Sequence, residues 1–192
     1  MNDKNYVFIF DVDGTITNST IYTPLIVELR NTGKHILLVF LYFISPIIIF
    51  IDFLSRSLHQ YLFYKVFSRY FCKYSSNIKL METYEKKEIQ QMTKILKKVL
   101  HQGYDLYFVS TNNTVLNRYL TKFMPKGIYT VEPSKASIDY LKSFKINSVK
   151  HIKALNPNKH IISFSDSPSD ISSLDLGHKG YLFKRNRIIK VK

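Results

Sequence analysis

The chain has 192 residues, 45% of them hydrophobic and 15% aromatic, which excludes a disordered chain and suits one catalytic domain with room for an insertion. Lys and Arg total 28 against 14 acidic residues, a formal net charge of +14. That balance points to an anionic membrane face, an anionic substrate or nucleic acid, or reflects a general abundance of Lys. The single cysteine, Cys72, excludes an intrachain disulfide framework and suits a cytosolic site; set among aromatics, it reads as a small buried hydrophobe. The start, Met1 to Asn5, lacks the basic opening and long apolar run of a signal peptide, so none is expected.

In chain order, Tyr6 to Phe10 is a short aromatic and β-branched run that stops at Asp11-Val12-Asp13-Gly14-Thr15, which predicts a buried strand ending in a polar loop. His35 to Leu54 is apolar except for Ser45, Pro46 and Asp52, and Leu58 to Phe71 follows, rich in Tyr and Phe. Helical periodicity predicts a helix over Glu82 to Gln102, stopped by Gly103. A second apolar run, Asp105 to Val109, ends at Ser110-Thr111-Asn112-Asn113, and Val115 to Phe123 continues as a helix. Lys150 opens a short helical stretch before a third run, His160 to Phe164, which ends at Ser165-Asp166-Ser167-Pro168-Ser169-Asp170. Tyr181 to Phe183 and Ile188 to Val191 read as terminal strands. Three apolar runs ending in polar loops, with helices between, predict an α/β fold with a doubly wound parallel sheet. Ligands of such sheets bind at the carboxyl ends of the strands, so the polar loops are expected to gather at one edge.

Two aspartates two apart, then Gly and Thr at a strand end, carry specific chemistry. One carboxylate can attack phosphorus while the other handles a proton, and both can share a magnesium ion. The alternative is an ordinary Asp-Gly turn after a buried strand. Ser-Pro-Ser-Asp in the third loop is also good helix-capping chemistry, so Asp166 and Asp170 carry a structural reading too. His151 and His160 are not expected as ligands, because magnesium prefers oxygen.

On these residues the sequence resembles the haloacid-dehalogenase-like phosphatases. The resemblance covers residues 5 to 33 and 82 to 192 roughly, and implies that Asp11 forms an aspartyl-phosphate. It further implies that Asp13 protonates the leaving group and then activates water, and that Ser110, with Thr111 beside it, binds the phosphoryl oxygens. Asp166 would complete a magnesium site with Asp11 and Asp13, and Asp170 would hold the ion through water or orient a lysine. The family's third motif supplies a lysine; Lys150 is the expected one, with Lys153 and Lys135 as rivals for catalysis and phosphate binding.

Residues 1–33 and 82–192 are then the catalytic core, and 34–81 an inserted helical cap. About 20 apolar residues are needed to span a bilayer, which His35 to Leu54 just meets. A single crossing would separate Asp11 from Asp166, so the expectation is a re-entrant hairpin bent at Ser45-Pro46 or a helix pair in the interface. Lys34, Arg56, Lys65, Arg69 and Lys73 flank the block as expected beside anionic lipid. A buried cap of a soluble enzyme is the alternative. The stretch is similar in composition and position to the insertion of C-type phosphatidylglycerophosphate phosphatases. The expectation is therefore a phosphatase at the cytoplasmic face of the membrane acting on a phosphorylated lipid, with no nucleic acid partner. The alternatives are a soluble enzyme for a small phosphate ester, like phosphoserine phosphatase, and a non-catalytic basic binding protein.

Overall fold

The first apolar run becomes the centre of the sheet. Strand β1 (Tyr6–Phe10) lies between β2 (Asp105–Asn113) and β4 (His160–Ser165), parallel to both. With β3 (Gly127–Val131), β5 (Lys179–Lys184) and β6 (Arg187–Lys190), the order is β3-β2-β1-β4-β5-β6; the β5–β6 pairing is antiparallel and the others parallel. The computed structural model describes residues 5–71, 78–113, 117–184 and 187–192. Cys72 and Lys73, the expected helix start at Val115 and the side chain of Arg69 lie outside the described residues.

Val7, Ile9 and Phe10 are buried because helices cover both faces of the sheet, and Phe10 stacks on Phe164 with 4.8 Å between ring centres. The chain winds outward from β1 through β2 to β3, then returns to the other side of β1 as β4. The crevice at that reversal is where Asp11 and Asp166 leave their strands. The doubly wound sheet is as the sequence predicts. Strand β3 was not expected: it is a five-residue edge strand whose first four residues are only half-buried, so it lacks an apolar run.

The expected helix over Glu82 to Gln102 is two helices, α4 (Ile78–Lys86) and α5 (Gln90–His101). The break has a cause. Residues 87–89 bond to the loop after β1: Asn18 N–H donates to the Lys87 carbonyl at 2.7 Å and Ile89 N–H to the Ile16 carbonyl at 2.8 Å. That pairing withdraws their backbone groups from any helix. Helix α5 packs on the sheet through Met92, Leu96 and Val99, and Gly103, at φ 68°, ends it as read.

The insertion is a pair of helices, α2 (His35–Leu54) and α3 (Arg56–Phe71), entered from α1 (Thr23–Asn31). The chain does not bend at Ser45-Pro46. Helix α2 runs through Pro46, and the reversal comes at Ser55, whose backbone is extended. Pro46 lacks the N–H that would bond the Tyr42 carbonyl four residues back; the Ser45 hydroxyl donates to that carbonyl instead, at 2.7 Å. Helix α3 belongs to the core, with Phe63 and Tyr64 buried in the same cluster as the sheet residues. Helix α2 does not: none of its residues is buried, and Phe43 and Phe53 are 73% and 85% exposed. A buried cap helix therefore describes α3 and not α2. Only a stripe of Leu38, Leu41, Ile44, Ile48 and Ile51, at helical spacing, with Ser45 beside it, is half-covered.

Candidate active site

The loop after β1 is wound around one carbonyl. The Val12 oxygen accepts N–H bonds from Thr15, Ile16 and Thr17 at 3.2, 2.8 and 3.1 Å, while Asp11 N–H reaches across to the Phe164 carbonyl at 2.9 Å. This holds both carboxylates of Asp11 and Asp13 beyond the sheet edge. Gly14 makes the turn at φ 76°, and a methyl group there would lie 2.1 Å from Asp166 Oδ2. Glycine is thus required twice, for the backbone angle and for the approach of the Asp166 carboxylate.

Lys145 holds the site together. Its Nζ lies 2.9 Å from Asp11 Oδ2 and 2.6 Å from Asp170 Oδ2, with all three side chains nearly sealed from solvent. It sits in helix α7 (Ile138–Leu155) on the inward face with Leu141, Phe144, Ser148, Val149 and Ile152. Burial works against its charge, but the two carboxylates hold the ammonium above its ordinary pKa. Ser165 donates to Asp170 Oδ2 at 2.5 Å. Burial opposes ionisation of Asp170 too, yet Lys145 and Ser165 keep its carboxyl below the usual range. Asp170 is thus paired with a lysine of α7.

That lysine is not Lys150. Lys150 lies five residues on, about 140° around the helix at 3.6 residues per turn, and is exposed. It does not open a short helix but sits late in an 18-residue one. The rivals fail as well: Lys135 pairs with Glu132 at 2.9 Å on the surface, and Lys153 donates to the Leu176 carbonyl at 3.2 Å. Lys145 had a readable signal, being the one lysine within the apolar and small-residue stripe of α7.

Asp13 is bound differently. Its carboxylate accepts from Ser19 at 2.5 Å, Ser110 at 3.2 Å and Asn112 at 3.4 Å. Burial raises its pKa, the Ser19 bond opposes that, and the Asp11 charge raises it further. A carboxyl pushed toward protonation beside a carboxylate paired with a lysine is the arrangement an acid and a nucleophile require. Ser110 is buried at the end of β2 with its hydroxyl on Asp13, and Thr111 is tied to the cap by Gln60 Nε2 at 2.9 Å and, through its carbonyl, by the Tyr64 hydroxyl at 2.5 Å.

The expected metal set closes only in part. Among the described residues no three carboxylate, imidazole or thiol side chains converge to hold a metal ion, and the Asp13 carboxylate is engaged by Ser19, Ser110 and Asn112. Asp11 and Asp166 remain as the oxygen pair. The Asp166 Oδ1 atom is buried without a hydrogen-bond partner, and burial together with the Asp11 charge pushes its carboxyl up to about 7. An unpartnered buried oxygen beside a second carboxylate fits a hard divalent cation, whose remaining positions water and phosphate oxygens would fill.

Arg56 also belongs here, and not to a membrane-facing flank. It opens α3, and its Nη1 donates to Ser167 Oγ at 2.5 Å and Ser169 Oγ at 3.2 Å. With Asp13, Asp166, Thr111, Gln60 and Ile49 it lines a pocket of about 490 Å³ beneath the cap. Sequence reasoning missed Lys145, Arg56, Gln60, Asn112, Ser19 and Ser165.

No protein-family model matches the sequence, and neither does any curated protein sequence. Solved structures do match in fold. A Bordetella pertussis protein of unknown function aligns over 90% of this chain and 87% of its own, with 12% identity and a TM-score of 0.64. A substrate-bound phosphoserine phosphatase aligns over 93% and 84%, with 14% identity and a TM-score of 0.56. A Salmonella enterica HAD-family hydrolase aligns over 92% of this chain and 61% of its own, with 13% identity and a TM-score of 0.56. The fold is therefore the haloacid-dehalogenase-like α/β fold that the sequence motifs imply.

Two measurements test this site. Lys145→Met strands two buried carboxylates, so it should cost about 3–5 kcal/mol of stability. Lys150→Met, on the exposed face, should stay within about 0.5 kcal/mol; denaturant midpoints separate the two. Metal binding should also depend on pH. A carboxyl whose folded pKa is raised makes the metal-free protein lose stability as pH climbs from its unfolded value, about 3.9, toward about 7. Magnesium must displace the Asp166 proton below about 7, so its affinity should fall by up to tenfold per pH unit there. The rise in Tm on adding magnesium should be larger at pH 8 than at pH 5.5; equal shifts would remove Asp166 from the metal site.

Proposed function

We propose that the chain is a phosphomonoester hydrolase working through an aspartyl-phosphate on Asp11. The observation that carries this reading is the Lys145–Asp11 pair at the end of the central strand, with Asp13 half-buried beside it and its pKa raised. Lys145 occupies Asp11 Oδ2 and so leaves Oδ1 for attack. Oδ1 bonds to phosphorus as the ester P–O bond breaks, and Asp13 gives its proton to the departing alkoxide. Asp13, now ionised, takes a proton from water, whose oxygen attacks the phosphoaspartate; phosphate leaves and Asp11 is restored. Ser110 and Thr111 donate to the phosphoryl oxygens. Asp11 and Asp166 would hold magnesium, which supplies charge neutralisation at the phosphoryl group when bound.

The substrate in this reading is a phospholipid monoester, such as phosphatidylglycerophosphate, reached at an anionic membrane surface. Support comes from α2, a 20-residue helix of mean hydropathy 2.6 with no buried residue. Both its ends are tied to one body: α1 and α3, which flank it, touch through the Tyr22–Phe63 ring pair at 4.6 Å. A helix held at both ends lies along a membrane surface and does not cross it. Water-soluble phosphate esters are the second reading, favoured by the likeness to phosphoserine phosphatase and by the polar walls of the pocket.

Asp11→Asn keeps the shape and removes the nucleophile, so phosphate release should fall at least about a thousandfold. Near-normal release would sink the covalent mechanism, and no release by the native enzyme from any ester, with magnesium present, would favour a non-catalytic binding protein. The membrane seat is tested by co-sedimentation with anionic vesicles. Phe43→Lys with Phe50→Lys, on the exposed face, should weaken binding at least about tenfold per site, given about 1.5–3 kcal/mol for burying each ring. Native protein left in the supernatant would point to the soluble substrate.

A further inference from the structure

A second cavity, of about 470 Å³, runs between α1 and α2 beside the catalytic pocket. Tyr22, Ile48 and Ile49 line both spaces. From that junction the groove follows α1 past Ile26 to Arg30, walled on the α2 side by Leu38 and Leu41. Three of its polar side chains are already engaged. The Ser45 hydroxyl is bonded to the Tyr42 carbonyl, the Tyr22 hydroxyl to His59 Nε2, and Thr20 Oγ1 accepts from Tyr22 N–H. A largely apolar groove that meets the pocket of Asp13 and Asp166 on one side and an arginine on the other matches an amphiphile.

We propose that the α1–α2 groove binds the hydrocarbon chain of the substrate while its phosphate sits at Asp11. This deepens the phosphomonoesterase reading and rests on it for the placement of the phosphate. The stretch from Tyr22 to Arg30 is about 12 Å long at 1.5 Å per residue, so the groove takes the head-group end of a chain. The remainder continues along the exposed apolar face of α2. The groove selects the substrate by its apolar tail, and Tyr22, hydrogen-bonded to His59 and through it to Asp52, marks the boundary between tail and head.

The test uses the full chain and monoalkyl phosphates from butyl to dodecyl, each kept monomeric and without vesicles, so that membrane docking contributes nothing. Calorimetry with Asp11→Asn should show affinity rising about fourfold per added methylene until the groove is filled, the equivalent of about 0.8 kcal/mol each. Ile26→Trp and Leu41→Trp fill the groove from opposite walls and should each flatten that slope. The readout is the ratio of long-chain to butyl affinity, which a loss of folded protein does not move. Affinity independent of chain length, no binding at all, or a slope that survives both tryptophans would overturn the proposal. Turnover by the native enzyme separates it from its premise. Chain-dependent binding without hydrolysis of any ester leaves the groove and removes the hydrolase; hydrolysis without chain preference does the reverse.

Discussion

A buried ammonium between two carboxylates organises this molecule. Lys145 comes from α7, Asp11 from the end of β1 and Asp170 from the turn after β4, so one cation fixes three elements at the reversal point of the sheet. Buried pairs of this kind contribute little net stability, since desolvation offsets most of the attraction. What they specify is position. With Arg56, two cations face four aspartates in the site, at positions 11, 13, 166 and 170. The two carboxyls without a strong cationic partner, Asp13 and Asp166, are the two pushed toward protonation, by burial first and by Asp11 second. The same imbalance thus sets up one proton donor and one place where a divalent cation would be welcome.

The cap shares this electrostatics with the core. Arg56 begins α3 immediately after the chain turns at Ser55, and its guanidinium reaches the Ser167–Ser169 turn that leads into Asp170. Gln60 and Tyr64, one and two turns further along α3, hold Thr111. The second helix of the cap is therefore a wall of the active site, while the first touches it only near Ile48, Ile49 and Asp52.

The parts legible in the sequence were those with local signals. Apolar runs ending in polar loops marked β1, β2 and β4, and the Asp11 to Thr15 loop announced its own chemistry. Lys145 was overlooked because a lysine search by position before the third strand weighs sequence distance, whereas burial depends on which face of α7 a residue takes. Strand β3 lacked an apolar run, and the break at residues 87–89 depends on backbone partners some seventy positions earlier in the chain. Pro46 was read as a bend because proline removes a helical bond; Ser45 supplies the replacement one residue before it. Arg56 was grouped with flanking cations, since nothing in its neighbourhood indicates that its partners lie in the Ser167–Ser169 turn.

Helix α2 poses the remaining energetic question. Its isoleucines, valine and phenylalanines are poor intrinsic helix formers compared with alanine or leucine. Ordering each backbone residue costs about 1–2 kcal/mol, and most helices recover that by burying an apolar face. Here the covered stripe is half-buried and the outward face is exposed, so packing against α1 and α3 recovers only part. Either the helix is the least stable element of the fold, or an apolar phase covers its outer side. In the lipid reading proposed above a membrane would supply that phase, and the basic excess of the chain, +14 overall, is the charge that an anionic surface attracts. The groove on the inner side then follows from the same arrangement. In that reading one helix would meet lipid with its outer face and, with its inner face, wall a largely apolar groove beside the catalytic pocket.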